Sequence, residues 1–184
     1  EKVNGYIWNK LYSKHLMARE NYRRTFDVSY CGDLLLNHYV MQNVRKVAFL
    51  EEALYYYVAS PASISLNMTA TALRDALHVK ETLRRDFGVS KRTRWKKLSA
   101  DVYVRGMTST LRTLAAWDSN EETEDLKRLV VRRIKTVKLD EIWGVSSQRE
   151  VFDLILVKLG LFELLYSLWE SPFLAPVRKM RRKL

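Results

Sequence analysis

The sequence predicts a mainly α protein with a small β component and a helical bundle in its second half. Three observations predict it. Glycine (6) and proline (3) are scarce over 184 residues, which disfavours a turn-rich β design. Apolar residues make up 47% of the chain, enough for a real core. From Thr69 onward the apolar residues recur at helical spacing, segment after segment.

Taken in order, "GYIWNKLYSKHLMAREN" places Leu11, Leu16 and Met17 so that a short helix is expected from about residue 10, behind a loop. "DLLLNHYVMQNV" sets Leu34, Leu35, His38, Val40 and Met41 in a helical pattern, with Asp33 as its N-cap or a first-turn acid. The stretch "VRKVAFLEEALYYYVAS" is β-branched and aromatic around Val44, Val47, Phe49, Tyr55 and Tyr57, and predicts one or two short strands ending at Pro61. A serine-rich polar loop follows and closes near residue 68, the one domain boundary the composition supports.

Beyond it, Leu73, Leu77, Val79, Leu83 and Phe87 predict a helix closing at Gly88. Residues 91–117 predict a second helix, weakly interrupted at Gly106. "SNEETEDLKRLVVRRIKTV" opens on the caps Ser119 or Asn120, puts acids in its first turn and bases in its last, and so suits the helix dipole at both ends. The last segment, "SQREVFDLILVKLGLFELLYSLWES", starts at Ser146 or Ser147 with Glu150 in the capping-box position. Its Asp153, Gly160, Glu163 and Ser167 share one stripe, and the rest of its circumference is apolar apart from Lys158. It is expected to be a core helix or one lying in a membrane interface, since its charges argue against a span.

Charge is unevenly spread. Residues 1–68 carry 8 Lys/Arg against 6 Asp/Glu, and residues 69–184 carry 24 against 15, so the second region holds +9 of the total +11. Such a field favours polyanions. The five bases of "VRKMRRKL" beside an apolar helix suit an anionic membrane surface, reached through residues 151–184. The basic run 90–97 around Trp95 is compatible with phosphate contacts, but no turn and recognition helix accompany it, and nucleic acid is not the expected partner.

The lone Cys31 excludes an internal disulfide and a thiolate metal clip, and makes a reducing, cytoplasmic setting the simpler expectation. No GxxxxGK[ST], GxGxxG, HExxH or GxSxG pattern occurs, and His15, His38 and His78 stand on separate segments.

The blocks "GYIWNKLYSKHL" and "YCGDLLLNHYVMQNVRKVAFLEEALYYYVASPASIS", with their spacing, resemble the C-terminal part of the catalytic domain in family 2 glycosyltransferases, especially bacterial enzymes building capsular, teichoic or other cell-surface glycans. The resemblance covers residues 3–67. It implies the C-terminal portion of a nucleotide-diphospho-sugar transferase α/β fold over residues 1–68, followed by a basic, membrane-peripheral helical domain over 69–184. It further implies an inverting transfer from a nucleotide-sugar donor to a glycan or lipid-linked acceptor. Asp33 would act as general base on the acceptor hydroxyl, a step that typically contributes about 10²- to 10⁴-fold. Trp8, Asn9 and Lys10 would line the cleft; Tyr57, Ser63 and Ser65 would border the donor pyrophosphate.

The chain departs from the family pattern at Gly32, where glutamate is usual, and at Val58, where a base is frequent; Arg45 or Lys46 could take over that contact. The family's nucleotide-binding half, with its Asp-x-Asp motif and its divalent Mg or Mn, has no counterpart in these residues. The resemblance therefore implies a piece of a longer enzyme that does not turn over by itself. The alternative is a non-catalytic basic module that binds nucleic acid or partner proteins.

Overall fold

The computed structural model describes residues 7–17, 28–50, 52, 54–56, 58, 60, 63, 67–89, 91–162, 164 and 167. The chain forms two compact units, Glu1–Leu83 and Arg84–Leu184, so the division falls inside a helix rather than near residue 68.

In the first unit a 3-10 turn at Lys14–Met17 stands where a short helix was expected. Helix α1, Gly32–Met41, buries Leu35, Asn37, His38 and Val40. Asp33 sits in its first turn, and Cys31, not Asp33, is the N-cap residue. Helix α2, Ala70–Gly88, buries Ala72, Leu73, Ala76, Leu77, Val79 and Leu83, the i, i+3, i+4 stripe that its sequence draws. Its start is fixed by Thr69, whose hydroxyl accepts from the Ala72 N–H at 3.1 Å.

The expected strands are not found among the described residues. Residues 44–50 and 54–56 have irregular backbone, and Val47, Phe49, Leu50, Leu54, Tyr56 and Val58 are exposed. The nucleotide-sugar transferase α/β fold is accordingly not observed; the fold is helical. The physical reason is that a strand satisfies its backbone only through a neighbour, and among the described residues no second strand supplies one.

The second unit is built from the end of α2 and four more helices. Helix α3 (Thr93–Ala115) runs through Gly106 without a break and packs on α4 (Glu121–Lys135), α5 (Leu139–Ile142) and α6 (Gln148–Leu159). Met107, Leu114, Leu126, Ile134, Ile142 and Leu154 are fully buried among them. The ends of α4 are as the sequence predicts: the Asn120 side chain accepts from the Thr123 N–H while the Thr123 hydroxyl accepts from the Asn120 N–H, both at 2.9 Å. Helix α6 starts at Ser147, whose hydroxyl donates to the Glu150 carboxylate.

The single long C-terminal helix is not observed. Gly160 takes a left-handed φ of 73°, the Gly160 N–H donates to the Val157 carbonyl at 3.2 Å, and the Leu161 N–H donates to Leu156 at 2.9 Å. Those two bonds close a Schellman stop that only glycine reaches without strain. Phe162, Leu164 and Ser167 have helical backbone again. Helix α6 packs on α3 and α4 as a core helix, and among the described residues no helix is long and apolar enough to cross a membrane.

Candidate active site around Asp33

Three turns of sequence meet at the start of α1. The chain enters through Ser29–Cys31, a turn held by Asp75 of α2. One carboxylate oxygen of Asp75 accepts from the Ser29 N–H (2.7 Å), the Ser29 hydroxyl (2.6 Å) and the Tyr30 N–H (3.3 Å). These bonds, the Ser29 hydroxyl first, hold the Asp75 carboxyl below the ordinary aspartate range.

Cys31 then adopts a left-handed φ of 63°, alone among the non-glycine residues described. That conformation costs a side-chain-bearing residue about 1 kcal/mol, and such cost is typically stored where geometry matters. The Cys31 carbonyl nonetheless accepts from Leu34 (3.0 Å) and Leu35 (3.3 Å), so the first turn of α1 is closed. Burial pushes the Cys31 thiol up and the Lys80 ammonium down; each of the two opposes the other's shift.

Asp33 is half-buried. Its Oδ2 accepts from the Ile7 N–H at 3.4 Å, which fastens the Trp8–Lys10 block to the head of α1. No hydrogen bond to its Oδ1 is found among the described residues. The negative charge reaches three neighbours: burial raises the Cys31 thiol and Asp33 adds to it, burial lowers the Lys10 ammonium and Asp33 opposes that shift, and burial raises the Tyr12 phenol and Asp33 adds to it. Tyr12 donates to the Asn37 side-chain oxygen at 2.6 Å, and the Asn37 amide donates to the Asp33 carbonyl at 2.9 Å. Tyr12, Asn37 and Asp33 thus form one chain of contacts along the first turns of α1.

The residues expected in the site are distributed as follows. Trp8 stacks on Tyr55 with ring centroids 4.9 Å apart, which joins the two blocks of the resemblance. Asn9 accepts from the Lys10 ammonium at 2.8 Å. Ser63 lies in a turn of its own, donating its N–H to Ser60 (2.9 Å) while its carbonyl accepts from Asn67 (3.1 Å). Tyr57 and Ser65 lie outside the described residues. Val58, Arg45 and Lys46 are exposed. Asp75, Ser29 and Tyr12 were not anticipated. Asp75 and Tyr12 are far along the chain from the residues they bind, whereas Asn37 stands one helical turn after Asp33 and could have been found by α-helical spacing.

Among the described residues no group of three or more histidine, cysteine, aspartate or glutamate side chains is placed to hold a metal ion. The described residues therefore offer no ligand set for the divalent ion that the resemblance implies. No protein-family model, curated protein or solved structure matches the chain.

Proposed function

We propose that the chain carries the acceptor side of an inverting glycosyltransferase, with Asp33 as general base. The observation that supports this most is the state of the Asp33 carboxylate. It stands half-buried in the first turn of α1, one oxygen on the Ile7 N–H and the other without a hydrogen bond among the described residues. Held so, it can take the proton of a sugar hydroxyl as that oxygen attacks an anomeric carbon. Lys10 beside it offers a cation for phosphate, and the Trp8–Tyr55 pair offers an aromatic face for a sugar ring.

The exposed apolar run from Val47 to Val58 agrees with the same reading, because a nucleotide-binding half packed on it would cover that surface. The donor and its metal would be held by that half.

The test uses the protein as its gene encodes it. Wild type and Asp33→Asn are assayed for acceptor-dependent release of nucleoside diphosphate from a panel of nucleotide sugars. A loss in kcat of about 10²- to 10⁴-fold is expected for the variant. Equal rates would remove Asp33 from catalysis, and no release from any donor in the wild type would remove the transferase reading itself.

A further inference from the structure

A second candidate site lies wholly within the Arg84–Leu184 unit and is independent of the transferase reading. A cleft of about 550 Å³ opens along α4 and the end of α6. Its rim is basic: Lys127, Arg128, Arg132 and Lys135 all line it, against the single acid Glu124. Its floor is apolar, made by Val131, Val157 and Phe162. Two of the cations are already engaged, Lys127 with Glu124 at 2.8 Å and Arg128 with Asp125 at 2.6 Å. The side chains of Arg132 and Lys135 are exposed and have no acid partner among the described residues.

The spacing adds a constraint. Positions 127, 131 and 135 repeat every fourth residue, so the lining runs about 12 Å along one face of α4. Charge complementarity asks for an anion and turns away the chain's own basic C-terminal segment. The apolar floor, however, offers nothing to a purely hydrophilic anion. Leu161 and Leu164, which flank the lining residue Phe162 in the chain, are 40% and 59% exposed and leave apolar side chains in solvent.

We propose that this cleft docks the phosphate headgroups of an anionic phospholipid bilayer, with Arg132 and Lys135 on phosphate oxygens and the apolar residues at the acyl boundary. Arginine suits that role because its fork matches a phosphate bidentately.

The experiment measures binding of the 184-residue chain to phosphatidylcholine vesicles with and without phosphatidylglycerol, by sedimentation. The wild-type chain binds the anionic vesicles and not the neutral ones. At roughly fivefold for each cation near an anionic surface, Arg132→Gln/Lys135→Gln weakens the anionic binding about 30-fold. The five C-terminal bases are present in both proteins, so the difference isolates the cleft. Leu161→Ser/Leu164→Ser weakens the same binding without changing net charge. Unchanged affinity in both variants would overturn the proposal, as would equal binding to neutral vesicles. Full competition by soluble glycerol phosphate would assign the cleft to a free phosphate ester instead. Loss of duplex DNA retention in the glutamine variant, with vesicle binding intact, would make it a nucleic-acid surface.

Discussion

The Arg84–Leu184 unit buries Met107, Leu114, Leu126, Ile134, Ile142 and Leu154 between helices, whereas the Glu1–Leu83 unit leaves a stretch with Val47, Phe49, Leu50, Leu54, Tyr56 and Val58 in solvent. Both stretches are comparably apolar in sequence; what differs is how the backbone is satisfied. A helix closes its hydrogen bonds within itself and needs neighbours only for its apolar face, which α3 supplies to α4, α5 and α6. A strand needs a neighbour for both. The comparison teaches that periodicity of 3.6 is read correctly from a short window, while β character is a statement about a partner that the window does not contain.

The sharpest way to test how the helical unit holds together is its buried ion pair. Asp153 of α6 is buried and bonded by Arg112 of α3, which also lies over the Phe162 ring at 6.0 Å. Burial raises the Asp153 carboxyl and Arg112 opposes that shift. Arg112→Met leaves the acid buried without its partner, and a loss of about 3 kcal/mol is expected in denaturant unfolding. Arg112→Met/Asp153→Leu recovers most of it, because the pair costs desolvation that an apolar pair does not. A double variant as unstable as the single one would show that the pair organises the bundle rather than merely filling it.

A smaller effect is expected at the start of α4. Asn120→Ala removes the acceptor for the Thr123 N–H and should cost about 1 kcal/mol in the same measurement. If it cost nothing, the local signals on which the helical reading rests would carry less weight than tertiary packing.

The smallest and most local effect belongs to the first unit. The Asp75 carboxyl is held below the ordinary aspartate range, so its contribution is present above that range and lost as pH falls through the lower folded value. Acidification from about pH 5 to below pH 3 should therefore loosen the Ser29–Cys31 turn ahead of global unfolding. The check is hydrogen exchange at the Tyr30 amide, corrected for the intrinsic pH dependence of exchange, with Asp75→Asn as the comparison protein. In the variant the acid-dependent gain in exchange should vanish. If the variant kept the same profile, the turn would be held by something other than Asp75.

Much of the helical architecture was legible because its signals are local. The spacing of Leu73, Leu77 and Leu83 marks α2, and Asn120 with the acids behind it marks the start of α4. The C-terminal segment was harder. Asp153 was read as one residue of a polar stripe on an otherwise apolar helix, and it is buried against Arg112 while Phe152 and Leu159 are 56% and 65% exposed. A helical projection cannot tell which face a neighbour covers when that neighbour brings its own charge. Gly160 was read as one more residue of a polar stripe, and its left-handed φ of 73° instead ends the helix.

The candidate site divides in the same way. Asp33 at the head of a helix, and the Trp8–Lys10 block, are visible in the letters alone, because first-turn acids and ordered motifs are short-range patterns. The bond from the Ile7 N–H to Asp33, the Trp8–Tyr55 stack and the grip of Asp75 on Ser29 are not, since each joins residues that the chain keeps far apart.

By itself, then, the sequence determined the helices α2, α3 and α4, where α4 starts, and that most of the positive charge lies after residue 68. Only the tertiary structure decided which apolar faces are covered, that the acid of α6 is buried, and that Asp75 secures the approach to Asp33. The reason is range: helical hydrogen bonds and caps act within four residues, whereas burial and ion pairing depend on whatever distant segment comes to lie alongside.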